Sequence, residues 1–307
     1  MSITQRAFSG KPDVQAMITL PAAFPADNLH IVDLPYRFSS WALDDPGNVG
    51  LWTNAEGHLL AWAVMQTPFW TVDVVCHPHA SHVLPDILAW VDARARQMLE
   101  SETGLPCWFV MTFAGQTSRI RALKEAGFAS QADVGEDSWS KVLMRRPAQA
   151  PVTAYSLPED FTIRPLADER EVDAYVALHR AVFESRSMTA EWRARTLRCP
   201  EHIPDTDLVI VAPDGRLAGF CIGWLNRDVT GEAVGHIEPL GVHADFRGQG
   251  LGRAVLSECL RRLYRRGARY ILIETDNYRA AALDLYESVG FHLIQDVLVF
   301  RKEYANV

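Results

Sequence analysis

Residues 247–253 read Arg-Gly-Gln-Gly-Leu-Gly-Arg, three glycines on alternate positions with an arginine at each end. Directly after them Val255, Leu256, Cys259, Leu260 and Leu263 recur at helical spacing, so the glycines occupy a helix start. Such a start presents unpaired N–H groups and a partial positive charge, which together suit an anion. Glycine lets the backbone approach that anion with no Cβ in the way. Arg247 and Arg253 add charge at the rim, and the simplest ligand is a phosphate or pyrophosphate. Two familiar phosphate loops do not fit. A P-loop needs a lysine after its last glycine, and none follows Gly252. A dinucleotide fingerprint needs GxGxxG at a first strand–helix turn, whereas this is GxGxG after several antiparallel-looking strands.

The strand before the turn, residues 235–242, carries His236 and Glu238 two positions apart and therefore on one face. Pro239 cannot donate a ladder bond, which suits a bulge or a sheet edge. A lone strand histidine such as His236 serves as a structural hydrogen-bonder or acts through a water. Glu238 can anchor an ammonium, pair with an arginine or take a proton.

The elements around these residues occur twice. GHLLAWAVM (57–65) parallels GRLAGFCIG (215–223), each after an acidic turn that reads as a hairpin. An amphipathic helix is expected at about 84–99 and again at about 250–266, followed by apolar strands at 107–113 and 270–274. A short helix closed by Gly-Phe then ends each half, at Gly127-Phe128 and Gly290-Phe291. The proline-rich stretch 146–160 reads as a linker. The fold class expected is α+β: two tandem domains, 1–150 and 161–307, each a mixed, mostly antiparallel twisted sheet flanked by helices.

Totals agree with this. At 307 residues the chain exceeds one ordinary core. A net charge of −8 argues against nucleic acid as the main partner and is compatible with a cationic or amine ligand. Five cysteines without metal-ligand spacing read as free thiols in a reducing cytoplasm. No apolar run approaches membrane-spanning length and the N-terminus has no apolar signal core, so no membrane partner is expected.

The pattern Arg247-x-x-Gly250-x-Gly252 after LGVHADF, with Leu285-Tyr286-Glu-x-x-Gly290-Phe291 some 35 residues later, resembles the acetyl-CoA site of GNAT-type N-acetyltransferases. The resemblance covers the chain from about Phe161 to its end and is fainter before it. The duplicated arrangement is similar to that of mycothiol synthase. It implies acetyl-CoA as cosubstrate, held by Arg247, Gly248, Gln249, Gly250, Leu251, Gly252 and Arg253. It also implies an N–H of Leu240, Gly241 or Val242 on the thioester carbonyl, with Gly241 letting the cofactor lie close. Glu238 falls where some members place a general base, and Tyr286 matches the tyrosine that protonates the departing thiolate. One departure stands out: the asparagine usual seven positions before that tyrosine is Arg279 here, with Asn277 two residues earlier. Arg279 can approach a CoA phosphate instead.

The first half departs further. Its equivalent of the glycine turn, residues 76–85, has no glycine and two prolines, and Lys124-Glu125 stand where the tyrosine motif would be. This half is expected to be degenerate and without acetyl-CoA. His77, His79 and His82 read as solvated loop histidines, and no metal is expected. Seven of the nine tryptophans lie in this half, as core or wall residues. The segment 183–192 is where the resembling family builds its acceptor wall.

The expected activity is therefore direct acetyl transfer to the amine of a small molecule or peptide. Mycothiol-synthase-like acylation of a cysteinyl sugar amine and a non-catalytic acyl-CoA sensor are the alternatives. The sequence leaves monomer or homodimer open.

Overall fold

A computed structural model describes residues 3–100, 106–132, 134–152, 155–227 and 230–304. In chain order come β1 (Thr4–Arg6), α1 (Lys11–Ala23), α2 (Leu34–Phe38), β2 (Val49–Thr53), β3 (Leu59–Gln66) and β4 (Thr71–Cys76). Then follow α3 (Leu84–Leu99), β5 (Cys107–Phe113), α4 (Thr117–Glu125), β6 (Ala129–Ser130), β7 (Ser140–Pro147) and β8 (Thr162–Pro165). Next are α5 (Val172–Phe183), α6 (Ala190–Arg198), β9 (Asp207–Val211), β10 (Leu217–Arg227) and β11 (Ala233–Val242). The chain ends with α7 (Leu251–Arg265), β12 (Ala268–Asp276), α8 (Ala280–Ser288) and β13 (His292–Glu303).

The chain divides into two compact units that exchange chain ends. Unit 1 comprises residues 1–142, 276–278 and 295–307, and unit 2 comprises 143–275 and 279–294. The strand order in unit 1 is β1-β2-β3-β4-β5-β13, with β6 also on β13; in unit 2 it is β7-β12-β11-β10-β9-β8. Among the ladders whose register is described, β4·β5 in unit 1 and β11·β12 in unit 2 are parallel and the others antiparallel. The two-domain α+β architecture is thus present, but the contiguous halves 1–150 and 161–307 are not the compact units. The last strand completes the sheet of unit 1, with Val297 opposite Phe113 and Glu303 opposite Cys107.

The expected linker is also partly built into unit 2. Arg146, inside β7, is fully buried. Its guanidinium donates to the carbonyls of Val289 at 2.6 Å, Pro147 at 3.0 Å, Ala148 at 3.4 Å, Ala150 at 2.6 Å and Pro151 at 3.0 Å. Burial pulls its pKa down, yet five carbonyl oxygens replace the lost hydration. One buried side chain therefore pins residues 147–151 to the end of α8. Residues 153 and 154 of that stretch lie outside the described residues.

Hydrophobic spacing explains the remaining elements. α7 buries Leu251, Ala254, Val255, Leu256, Cys259, Leu260 and Leu263 along one stripe, and Gly267 at φ 88° follows its end. α3 does likewise with Leu84, Ile87, Leu88, Val91 and Ala95. Trp62 and Trp108 lie wholly inside unit 1, whereas Trp70 is exposed.

Candidate active site

In unit 2, β11 and β12 pair in parallel only from Ala233/Ala268 to His236/Leu272. β11 continues to Val242 and β12 to Asp276 without further pairs in that ladder, so a gap opens between them. The cause lies in β11. Ile237 is opposite Gly223 and Leu240 opposite Cys221, so two residues, Glu238 and Pro239, face the single residue Ile222. That is a β-bulge at the proline, where no ladder N–H is available. The Glu238–Pro239 peptide is cis. Trp224 Nε1 donates to the Glu238 carbonyl at 2.7 Å and holds the bulge in place.

The bulge determines which way each group faces. The Cβ positions of Gly223 and Gly235 meet Leu263 of α7, so Ile237, which pairs with Gly223, faces α7 as well. His236 and Glu238 consequently face the side covered by α5. His236 is buried there and Glu238 half-buried. Beyond the bulge, His243 N–H donates to Ala218 O at 2.9 Å. Alternation then directs the Gly241 N–H toward β10 and those of Leu240 and Val242 into the gap. Arg247 Nε takes the Val242 carbonyl at 3.2 Å, as expected for a carbonyl on that side.

Gly241 has a packing reason of its own. A Cβ there would meet Val182 Cγ1 at 2.5 Å and the Phe220 ring at 2.9 Å. The glycine thus admits α5 to the sheet. Gly241→Ala is expected to lower stability by about 1–3 kcal/mol in urea titrations, and a compensating Val182→Ala to restore part of it.

The glycine turn is open. Gly248 and Gly250 adopt φ of 78° and 77°, and a Cβ on either would meet nothing within 4 Å. Gly250 is the N-cap of α7 and no side chain caps the helix. Among the described residues no acceptor meets the N–H groups of residues 248–253; the next, on Ala254, donates to Gly250 O at 3.0 Å. Six successive donors without an acceptor at one glycine turn suit an anion. A Cβ on Gly252 would lie at ordinary contact distance, 3.5 Å, from Val242 and Leu285. Arg253 lays its guanidinium over the Tyr155 ring at 5.0 Å, and its buried Nε has no partner. Arg279 caps the exposed start of α8. Tyr286 lies on α8, largely buried and edge-on to Phe291 at 6.1 Å. Asn277 is engaged elsewhere, exchanging bonds with Ser140 at 3.0 and 3.2 Å.

Facing Glu238 from α5 is a group the sequence reading missed. Tyr175 is fully buried, with no hydrogen-bond partner for its hydroxyl, and burial holds it well above the ordinary phenol range. His179, one turn on, lies nearly parallel to Phe220 at 5.6 Å and tilted on Phe183 at 4.7 Å. Burial, reinforced by Arg193 and Arg180, lowers its pKa to about 4 from 6.5. Between those values the unfolded chain binds a proton that the folded chain lacks, so stability falls as pH is lowered. The expected loss is about 1.4 kcal/mol per pH unit, on the order of 3 in all. Urea titrations at pH 7 and 4.5 should show this drop, and His179→Phe should flatten it. Amphipathic spacing could have marked Tyr175 and His179 as inward-facing. The Trp224–Glu238 bond required the register of two strands.

In unit 1 the corresponding parallel contact is a single pair, Thr71 with Phe109. His77 Nδ1 accepts from His79 N–H at 3.1 Å and its carbonyl from Ala80 N–H at 2.8 Å, as His243 does with Asp245 and Phe246 in unit 2, but residues 78–83 then run into α3 without a glycine turn. His77 is therefore a turn cap rather than a solvated histidine. Among the described residues no three His, Cys, Asp or Glu side chains assemble as metal ligands, and no helix is long and apolar enough to cross a membrane.

Residues 172–291 match the model of the acetyltransferase (GNAT) family. The chain is 32% identical over 153 residues to mycothiol acetyltransferase of Salinispora arenicola, covering 48% of this chain and 50% of the relative. It is 33% identical over 178 residues to the protein of that name from Acidothermus cellulolyticus, covering 53% and 54%. With that of Thermobifida fusca the identity is 28% over 233 residues, covering 73% and 70%. The match spans about half the length of the first of these relatives. Among solved structures, a GCN5-related N-acetyltransferase from Sphaerobacter thermophilus superposes with a TM-score of 0.69 at 22% identity, covering 98% and 95% of the two chains. A tandem GNAT protein from the clavulanic acid biosynthesis pathway gives 0.68 at 12% identity, covering 100% of both. These two share the fold of the whole chain.

Proposed function

From the match of residues 172–291 to the acetyltransferase (GNAT) family, we propose that unit 2 is a GNAT-type domain that binds acetyl-CoA and transfers its acetyl group directly to an amine. The observation that carries this reading is the run of six unpartnered N–H groups at residues 248–253, beside a gap in the sheet lined by the donors of Leu240 and Val242. The pyrophosphate lies on the turn, with Arg247 and Arg253 at its rim and Arg279 toward a further CoA phosphate. The acyl arm enters the gap, where a β11 N–H takes up the charge that grows on the thioester oxygen. Glu238, or His236 through a water, removes the ammonium proton and frees the lone pair. The nitrogen–carbon bond forms, the carbon–sulfur bond breaks, and Tyr286 gives its proton to the leaving thiolate. The acceptor is a small-molecule or peptide amine lying against the α5–α6 side. The names of the matched relatives favour the amine of a cysteinyl sugar as a second reading.

Unit 1 is proposed to be degenerate. Residues 78–83 run straight into α3 with no glycine turn between them, and Arg119 Nη2 crosses the space between β4 and β5 to take the Val74 carbonyl at 2.9 Å. Five free cysteines suit a cytoplasmic setting.

The test is release of free CoA thiol from acetyl-CoA across amines, amino acids, peptides and a cysteinyl sugar. Turnover with one acceptor and a roughly 10²-fold or greater loss of kcat in Tyr286→Phe are expected. Tight acetyl-CoA binding without turnover on any acceptor would instead support a sensor.

A further inference from the structure

Unit 1 contains a cleft that the reaction does not use. It opens where β4 and β5 part, runs past the start of α4, and measures about 640 Å³. A small, largely enclosed cavity adjoins it, and the two share Asp27, Gln116 and Arg119. Arg119 is the central cation of this space. Its Nη2 has one acceptor, the Val74 carbonyl at 2.9 Å, and its Nε is shielded from solvent with no partner. The buried carboxylate on its side of the sheet is committed elsewhere: Asp73 accepts from Arg37 at 2.7 and 2.8 Å and from Gln66 at 2.9 Å. Asp27 and Glu125 line the cleft too, but among the described residues no carboxylate comes within ion-pair distance of Arg119. This half-buried guanidinium, with its shielded Nε unpartnered, keeps donors for a ligand.

A second set of donors meets it. In α4, the Thr117 N–H goes to Gly115 O at 3.0 Å and that of Ile120 to Gln116 O at 2.9 Å. The N–H groups of Ser118 and Arg119 between them have no acceptor among the described residues, and both residues line the cleft. Thus one guanidinium and two helix-end donors converge on a volume far larger than a water molecule.

We propose that unit 1 binds a small anionic metabolite, whose carboxylate or phosphate oxygens lie on Arg119 and the first turn of α4 while its remainder fills the cleft. The ligand is smaller than an acyl-CoA thioester, because the arginine itself occupies the strand edge on which an extended acyl arm would lie. Nothing in this inference depends on the chemistry assigned to unit 2.

Calorimetry on the full chain at pH 7 tests it with inorganic phosphate and succinate in separate arms. One saturable site per chain is expected in at least one arm, persisting in saturating acetyl-CoA. Binding should weaken about tenfold or more in Arg119→Gln and recover in part in Arg119→Lys. A response in only the phosphate arm identifies a phosphate, and in only the succinate arm a carboxylate. Absence of a saturable site in both arms, displacement by acetyl-CoA, or unchanged affinity in Arg119→Gln overturns the proposal. Because loss of this half-buried arginine can unfold the unit, the wild-type chain supplies a second measurement at Cys76, which also lines the cleft. The rate ratio of alkylation by anionic iodoacetate over neutral iodoacetamide should exceed that of free cysteine by about tenfold. Phosphate or succinate should suppress it; a ratio equal to that of free cysteine also overturns the site.

Discussion

Gly250→Val removes acetyl-CoA binding while leaving the chain folded. Two effects act at this position. The residue sits at φ 77°, where a β-branched side chain costs about 1–2 kcal/mol, a loss that an intact core absorbs. The new side chain also projects into the space in front of six free N–H groups, where at present nothing stands within 4 Å. An anion must reach hydrogen-bond distance of those donors, and two methyl groups keep it out. The expected affinity loss is about 10²-fold or more, equal to removing two charge-assisted bonds. Gly250→Asn is the informative partner, since asparagine tolerates this backbone region and separates conformation from obstruction. Calorimetry with acetyl-CoA together with a thermal melt decides the matter. Unchanged affinity in Gly250→Val would remove the turn from the site.

The largest expected effect on stability comes from Arg193→Met. Arg193 on α6 is wholly buried and contacts both oxygens of the equally buried Asp207 on β9, at 2.7 and 2.6 Å. His202 Nε2 meets the same carboxylate at 2.8 Å, and the guanidinium lies 3.9 Å from the Tyr175 ring centre. Burial would raise the Asp207 pKa, but Arg193 and His202 together carry it below the ordinary carboxylate value. Removing the arginine leaves that charge in an apolar interior, at a cost of about 3–5 kcal/mol in urea titrations. Adding Asp207→Leu to the variant should recover most of the loss, because both partners are then gone. The sign with pH also follows. Asp207 contributes stability above the unfolded value of 3.8, and that contribution fades as pH falls through its lower folded value. The difference between wild type and Arg193→Met should therefore narrow in acid. The anchored helix follows the segment expected to wall the acceptor, so the pair also fixes that wall to the sheet.

Local features of the chain were legible and non-local ones were not. The glycine turn, the stripe on α7 and the Gly-Phe helix stops involve neighbours in sequence, and their positions follow from backbone preference and spacing alone. Pro239 likewise announced the bulge, because an absent N–H is a property of one residue. Gly241 shows the limit: its position in the strand was plain, but its reason is the approach of Val182, some sixty residues earlier. The Trp224–Glu238 bond depends on which residues two strands bring opposite each other, and hydrophobic pattern does not give that register. Arg146 read as the start of a linker because arginine beside proline is polar in composition. Only the folded backbone supplies the five carbonyls that bury it.

The exchanged last strand sets an order on synthesis. The partner of β5 in β13 lies about 190 residues later, beyond the segment that builds unit 2. The N-terminal unit therefore waits, with one edge of its sheet unfilled, until the segment that builds unit 2 has been made. Contacts so distant in sequence slow folding and leave an open edge exposed to other chains in the interval. A gene fragment ending after the first half would lack a strand rather than encode a free domain.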